Sequence, residues 1–380
     1  MTESTAPVVR ARSRERGSAT LRRFVLVCVS VVAGMLAFAP TRRHVAAASV
    51  LQHLSGPAPN PPVRPEMTTD FVLAAPGGSA RARLYRTDGP AYGCLVIGHG
   101  VHYRGIDEPR LVRFASELAR SGTVVLTPEL SDLADYRITR AGADVLASAV
   151  HDLRARCSRT VGLLGFSFAG GLSLVAAEDP SVSRDLAYVA SVGGYHDLSR
   201  VLRFLLSDTV ESPTGPVSRK AHEYGLAVLL YEHLDALVPR GDLAQMRAAV
   251  QAWLHEDRSR AWALASRCTS PAAEELFTRL ASGDAGHYRS TLGPILHALA
   301  RSSASLSPAG KLAQIPVPVY LLHGLGDSVI PPEETTWAEA ELAGHPHRAL
   351  VTPLIEHVEV SGKPTWRDEW ALVDFMSGLL

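Results

Sequence analysis

One serine in this chain stands where a nucleophile would have to stand. In Gly165-Phe166-Ser167-Phe168-Ala169-Gly170-Gly171 it follows the apolar run Val161 to Leu164 and precedes a stretch with helical spacing. A serine on a sharp strand-to-helix turn presents its oxygen at the edge of a sheet. The residues two before and two after it must be small for the helix to pass close to the strand, and Gly165 and Ala169 meet that requirement. The start of the helix also brings backbone N–H groups and the positive end of its dipole beside the Ser167 oxygen. Such a serine attacks carbonyl carbon once a base and an orienting acid join it.

This turn resembles the nucleophile turn of the α/β-hydrolase family, with Ala169 where the family usually has a second Gly. The resemblance implies the chain order serine, acid, histidine. After the apolar run Pro318 to Leu322 comes His323-Gly324-Leu325-Gly326-Asp327-Ser328-Val329-Ile330-Pro331, similar to the family's acid loop HGxxDxxIP. It puts Asp327 at the acid position, where a carboxylate orients an imidazole and stabilises its charged form; a cap for a helix starting near Pro331 is the competing role. Leu354-Ile355-Glu356-His357-Val358-Glu359 then follows the last strand-like run, so the resemblance assigns His357 as base. His345 and His347 precede that run, at the wrong end. The oxyanion hole is expected from the N–H of Phe168 and one on the loop Gly98-His99-Gly100-Val101-His102-Tyr103. Val101 is assigned there, with His102 as the alternative, and His99 is read as holding the turn. His102, Tyr103, Arg104, Tyr195 and His196 fall on loops at the same sheet edge, as pocket residues or as ordinary loop residues.

The elements that must position these groups alternate along the chain. Phe71 to Ala75 and Arg81 to Tyr85, joined by Pro76-Gly77-Gly78, read as an antiparallel hairpin. Strands are expected at Cys94 to Gly98, Thr123 to Leu126, Thr160 to Gly165, Leu186 to Val192, Val317 to Leu322 and Ala349 to Thr352. Helical spacing covers Pro109 to Arg120, Ala143 to Arg156 and Ala169 to Ala177. The expected fold is α/β, a mostly parallel sheet with helices on both faces. Between Val192 and Val317 the alternation stops, and helical patterns at Leu198 to Leu206, His222 to Leu237, Leu243 to Leu254 and Pro271 to Leu280 predict a helical cap at about 198–310.

The N-terminal part is organised differently. Residues 1–23 are polar and Arg-rich, and Phe24 to Ala39 carries no charge, a basic region before an apolar one. Sixteen residues in a helix span about 24 Å, short of a hydrocarbon core of roughly 30 Å. Ala37-Phe38-Ala39 resembles a cleavage site, but Pro40 follows it, so an uncleaved anchor is favoured over a signal peptide, and Arg22-Arg23 matches a twin-arginine signal poorly. More positive charge precedes the segment than follows it, which places the folded domain outside the cytoplasm, periplasmic or extracellular. Residues 40–66, with Pro59, Pro61, Pro62 and Pro65, read as a spacer that does not pack, and the folded domain is expected over 67–380.

With 46% apolar residues and 38 basic against 38 acidic side chains in 380 residues, the chain can bury a large core. It offers no electrostatic argument for nucleic acid. Cys28 and Cys94 read as small buried thiols; Cys157 and Cys268 could pair if the domain is extracytoplasmic, and the sequence leaves that pairing open. No metal-ligand spacing is present. The expected chemistry is acyl transfer without cofactor, on a small-molecule or lipid ester, with the membrane as partner through the N-terminal segment. An acyltransferase or peptidase with the same triad, and a non-catalytic envelope binding module, are the other readings.

Overall fold

The computed structural model describes residues 38–57, 64–65, 67–294, 303–356, 359–360 and 365–380. A helix, α1 (Ala39–Ser55), comes first. The hairpin β1 (Thr69–Ala75) and β2 (Gly78–Tyr85) follows, turning on Pro76-Gly77, with Gly77 at φ +80° where a side chain would be strained. Then β3 (Gly93–Gly98), α2 (Pro109–Arg120), β4 (Thr123–Pro128), α3 (Arg140–Cys157), β5 (Val161–Phe166), α4 (Phe168–Ala177) and β6 (Leu186–Val192) alternate.

Beyond β6 lie α5 (Leu198–Ser207), a small hairpin of β7 (Thr209–Ser212) and β8 (Gly215–Ser218), α6 (Glu223–Glu232), α7 (Arg240–Leu254), α8 (Arg258–Ala265) and α9 (Pro271–Ala281). The chain returns with β9 (Val319–Gly324), α10 (Glu333–Glu341), β10 (His347–Thr352), the short pair β11 (Ile355–Glu356) and β12 (Glu359–Val360), and α11 (Trp366–Ser377).

The main sheet has the order β1-β2-β4-β3-β5-β6-β9-β10. From β4 to β10 every neighbouring pair is parallel, and β1 and β2 form the antiparallel edge. The strands alternate faces with period two. Cys94 and Val96 enter one core with α3, α4 and the cap helices, while Leu95 and Ile97 enter the other with α1, α2 and α11. Each such Leu or Ile removed from water contributes about 2 kcal/mol. The chain leaves β3 toward β4 on one side and comes back to β5 on the other, so β3 is where strand order reverses. In sheets of this kind that crevice, at the carboxyl ends of the strands, is where ligands bind.

Two expectations for the scaffold are corrected. The first half of the 40–66 spacer is helix α1, docked on the second core: Ala47 and Val50 are buried, Leu51 and Leu54 pack beside them, and His44 Nε2 lies 2.9 Å from Asp374 Oδ1. The reading of Cys94 as a buried free thiol is the second. Cys94 is bonded to Cys157, and Cys268 is a free thiol. α3 crosses back over β3 between β4 and β5, which sets its last residue beside the first residues of β3, a juxtaposition that only the tertiary path creates. Among the described residues no helix is long and apolar enough to cross a membrane; of the apolar segment 24–39, only Phe38 and Ala39 are described.

The cross-link joins residues 63 apart in sequence, which in the chain-entropy account lowers unfolded-state freedom by about 4 kcal/mol. Cys94→Ser should therefore lose about 2–4 kcal/mol in denaturant unfolding, and fully reduced wild type should fall to the same midpoint. Equal midpoints for oxidised wild type and the variant would show that the bond contributes nothing.

Candidate active site

Ser167 occupies the junction between β5 and α4 at φ 54°, ψ −130°, a conformation that costs a non-glycine residue about 1–3 kcal/mol. Its N–H donates to the Val192 carbonyl (2.8 Å), and its carbonyl accepts from the N–H of Gly170 (2.8 Å). A Cβ on Gly165 would sit 2.1 Å from the Ala169 carbonyl oxygen, and one on Gly170 would sit 2.5 Å from Ser191 Oγ. The helix thus runs too close to the sheet for side chains at those positions. Phe168 is the first residue of α4, so its N–H belongs to the helix N-terminus beside the serine.

The loop after β3 closes on the same point. A Cβ on Gly100 would lie 3.2 Å from Ser167 Cβ and 3.8 Å from its Oγ. His99 holds this turn: its Nδ1 donates to the Gly100 carbonyl (2.8 Å) and its Nε2 accepts from the N–H of Leu130 (2.9 Å). The Val101 carbonyl accepts from Tyr224 Oη of α6 at 3.3 Å. Further along, buried Arg83 donates to the Ile106 carbonyl (3.0 Å) and to Asp107 (2.8 Å), fixing the loop to β2. The strand ends that carry Ser167 and Val101 are neighbours, β5 beside β3.

Asp327 is buried one turn after β9, on the same edge. Its Oδ1 accepts from the N–H groups of Val329 (2.9 Å) and Ile330 (3.0 Å), and Oδ2 stands 3.4 Å from His323 Nε2. His323 in turn donates from Nε2 to the Ile330 carbonyl (2.9 Å) and accepts at Nδ1 from Thr335 Oγ1 (2.8 Å). Asp327 does not cap the following helix, whose N-cap is Pro332. His357 lies outside the described residues. The chain just before it, β11, lies against β9, with Ile355 buried. His345 and His347 stand at the opposite end of the sheet, at the start of β10, where His345 Nε2 bonds the Ile315 carbonyl (2.6 Å).

Two of the loop residues named for the pocket are committed elsewhere. Tyr195 is buried against Gly171 of α4 and donates to the Leu306 carbonyl at 2.9 Å. His196 is buried between Glu341 (Nε2 to Oε2, 2.7 Å) and Arg200 (3.1 Å). Both serve the seam between β6, α4 and α10, because that loop turns inward under the cap. His102 and Tyr103 are half-buried on the loop and stack on each other (4.8 Å), and Tyr103 stacks on His255 (4.1 Å). His255 in turn neighbours Tyr136 (6.1 Å), and Tyr136 meets Tyr231 edge-on (5.7 Å). This aromatic layer, in which Tyr224 and His255 of the cap meet the β3 loop and Tyr231 meets Tyr136, was missed by sequence reasoning. Aromatic spacing in the cap was its only signal.

A parallel sheet in this order, with a strained serine turning from its fifth strand into a buried helix, decides the class. The fold is that of the α/β-hydrolases. No family model and no curated protein matches the sequence. Several solved structures are similar. LipA, the rice cell wall degrading esterase from Xanthomonas oryzae, is 15% identical over 75% of this chain and 82% of that one, with a TM-score of 0.49. The 2,6-dihydroxy-pseudo-oxynicotine hydrolase is 14% identical over 85% and 69%, with a TM-score of 0.43. The Pyrobaculum calidifontis esterase is 14% identical over 87% and 85%, with a TM-score of 0.38. At such identities the fold assignment stands on the strand order and the turn at Ser167. Among the described residues no group of three His, Cys, Asp or Glu side chains could hold a metal ion.

Burial holds the imidazoles of His102 and His255 below the usual histidine range. Below about pH 6.5 the unfolded chain takes up protons that the folded chain resists, so folded stability declines as pH falls through and below that value. The denaturation midpoint should drop between about pH 7 and pH 5, and drop less in His255→Phe, which keeps the ring stack; identical slopes would exclude this layer as the cause. Separately, Gly165→Ala should cost about 2–3 kcal/mol in chemical unfolding, because its methyl group has nowhere to go. A neutral result would mean that α4 can move away from β5.

Proposed function

We propose that this chain is a serine hydrolase that cleaves carboxylic esters through an acyl-enzyme, with Ser167 as nucleophile, His357 as base and Asp327 as the orienting acid. The observation that carries this reading is Ser167 itself, held at positive φ at the head of α4 with the Gly100 backbone packed against it. Such strain persists at functional sites where the surroundings enforce it.

In the proposed cycle Ser167 Oγ attacks the ester carbonyl as its proton passes to His357. The N–H groups of Phe168 and Val101 stabilise the oxyanion. Collapse breaks the bond to the alcohol oxygen, which leaves with the proton from His357. Water then attacks the acyl-serine, giving its proton to His357, and the carboxylic acid departs as Ser167 regains its proton. Asp327 accepts a hydrogen bond from the imidazole throughout, which its fixed loop suits.

We place the domain outside the cytoplasm on an uncleaved N-terminal anchor. The basic and apolar residues of the N-terminal segment support this, as does the Cys94–Cys157 bond, since disulfides persist in oxidising compartments. The test is labelling of the full chain with a fluorophosphonate. Wild type should label, Ser167→Ala and His357→Ala should not, and Asp327→Asn should lower ester turnover by about 10³–10⁴-fold. Absence of labelling in a folded wild-type chain would overturn the reading.

A further inference from the structure

We propose that the sheet edge opposite Ser167, at the amino ends of the parallel strands, is the face that rests on an anionic phospholipid bilayer, with α1 as the strut that sets this orientation. The proposal rests on the membrane-anchor reading above and adds which way the active site points.

The direction of α1 follows from its two ends. At its first turn, Arg42 lies over the ring of Tyr92 (4.4 Å), and the N–H of Tyr92 donates to the Gly122 carbonyl (2.8 Å). Tyr92 and Gly122 directly precede β3 and β4, so this end of α1 sits at the amino ends of the strands. At its last turn, Arg113 donates to the carbonyls of His53 and Gly56. Arg113 belongs to the first half of α2, which starts from the carboxyl end of β3. Between these ends Ala47 and Val50 are buried and His44 is bonded to Asp374, so the helix cannot swing without exposing its apolar face. The apolar run that precedes Phe38 in sequence therefore joins the domain at the edge away from the nucleophile.

That edge carries the chemistry of a headgroup surface. Arg42, Arg43, Arg86 and Arg159 are exposed there, and among the described residues none of them has a carboxylate within ion-pair distance; Arg156 is paired with Asp152. Arg86, Arg156 and Arg159 rim a basin of about 410 Å³ floored by Phe71, Val124 and the Cys94–Cys157 bond. The acidic residues of this edge include Asp88 on the adjoining turn and Asp185 just before β6, the latter paired with His151 and Arg154. Guanidinium groups pair with phosphate in two-point fashion, and arginines near an anionic leaflet add attraction individually. The described residues begin at this edge with Phe38, directly after the apolar run in sequence, so a bilayer is the occupant to which these arginines are complementary. One consequence concerns substrate. β5 spans six residues, about 20 Å at 3.3 Å per residue, so Ser167 opens away from the bilayer and takes its ester from the aqueous side rather than from acyl chains in the same leaflet.

The test is hydroxyl-radical footprinting of the full chain in detergent, in phosphatidylcholine vesicles and in vesicles containing phosphatidylglycerol. Tyr92 on the proposed face and Trp262 on the cap serve as reporters, being 48% and 50% exposed. Tyr92 should lose most of its reactivity in phosphatidylglycerol vesicles while Trp262 keeps its own. Arg86→Glu combined with Arg159→Glu should restore Tyr92 reactivity while the chain still floats with vesicles and still labels with fluorophosphonate. A chain that floats but leaves Tyr92 reactive, or protects Trp262 instead, overturns the orientation and leaves the anchor standing. A chain that does not float removes the anchor and the orientation together. If the double variant misfolds, the wild-type footprint decides.

Discussion

The close passage of α4 across β5 is the constraint on which the catalytic edge depends. Because Gly165 has no side chain, the helix can begin one residue after the strand, and that forces Ser167 to positive φ. The strain cannot relax outward. Every residue from Phe168 to Ala177 is buried, and moving the helix would return Leu172, Leu174 and Val175 to water at about 2 kcal/mol each. The same tightness reaches the next strand. Gly170 lies against Ser191 and Gly194, and Gly171 against the ring of Tyr195, so Tyr195 is spent on sealing α4 to β6 and is not available as a pocket wall.

What was legible in the sequence is what is encoded locally. The parallel strands are buried on both faces and appear as continuous apolar runs, and the small residues around Ser167 and the His323 to Pro331 loop carry their geometry in a few adjacent positions. The observed parallel strands match those runs to within two residues at each end. What was not legible depends on distant parts of the chain meeting. Cys94 found Cys157 through the path of α3, and α1 took up the first half of a segment whose later prolines suggested a spacer. The hairpin of β7 and β8 turns on Pro213-Thr214 inside a stretch with otherwise helical neighbours. His255 and Tyr224 reach the β3 loop only because the cap folds back over it.

A buried ion pair ties these parts together at the strand between nucleophile and acid. β6 lies between β5, which carries Ser167, and β9, which leads to Asp327. The loop after β6 is held by Glu334 of α10, fully buried, whose carboxylate accepts the N–H groups of His196 (2.9 Å) and Asp197 (2.8 Å) and the guanidinium of Arg200 (2.6 Å at Oε1). Arg200 begins the cap on α5, and its guanidinium lies over the Trp337 ring (4.9 Å). Replacing such a pair with apolar groups often leaves stability unchanged or higher, so its value lies elsewhere. Here it acts as a register device: one carboxylate fixes the first turn of the cap, the end of β6 and the helix that follows the acid loop. Glu334 and Thr335 are adjacent, and Thr335 donates to His323, which holds the Asp327 loop. The position of the acid relative to the serine is therefore set by a chain of buried hydrogen bonds running through the cap's root, and the cap cannot shift at α5 without disturbing the acid loop.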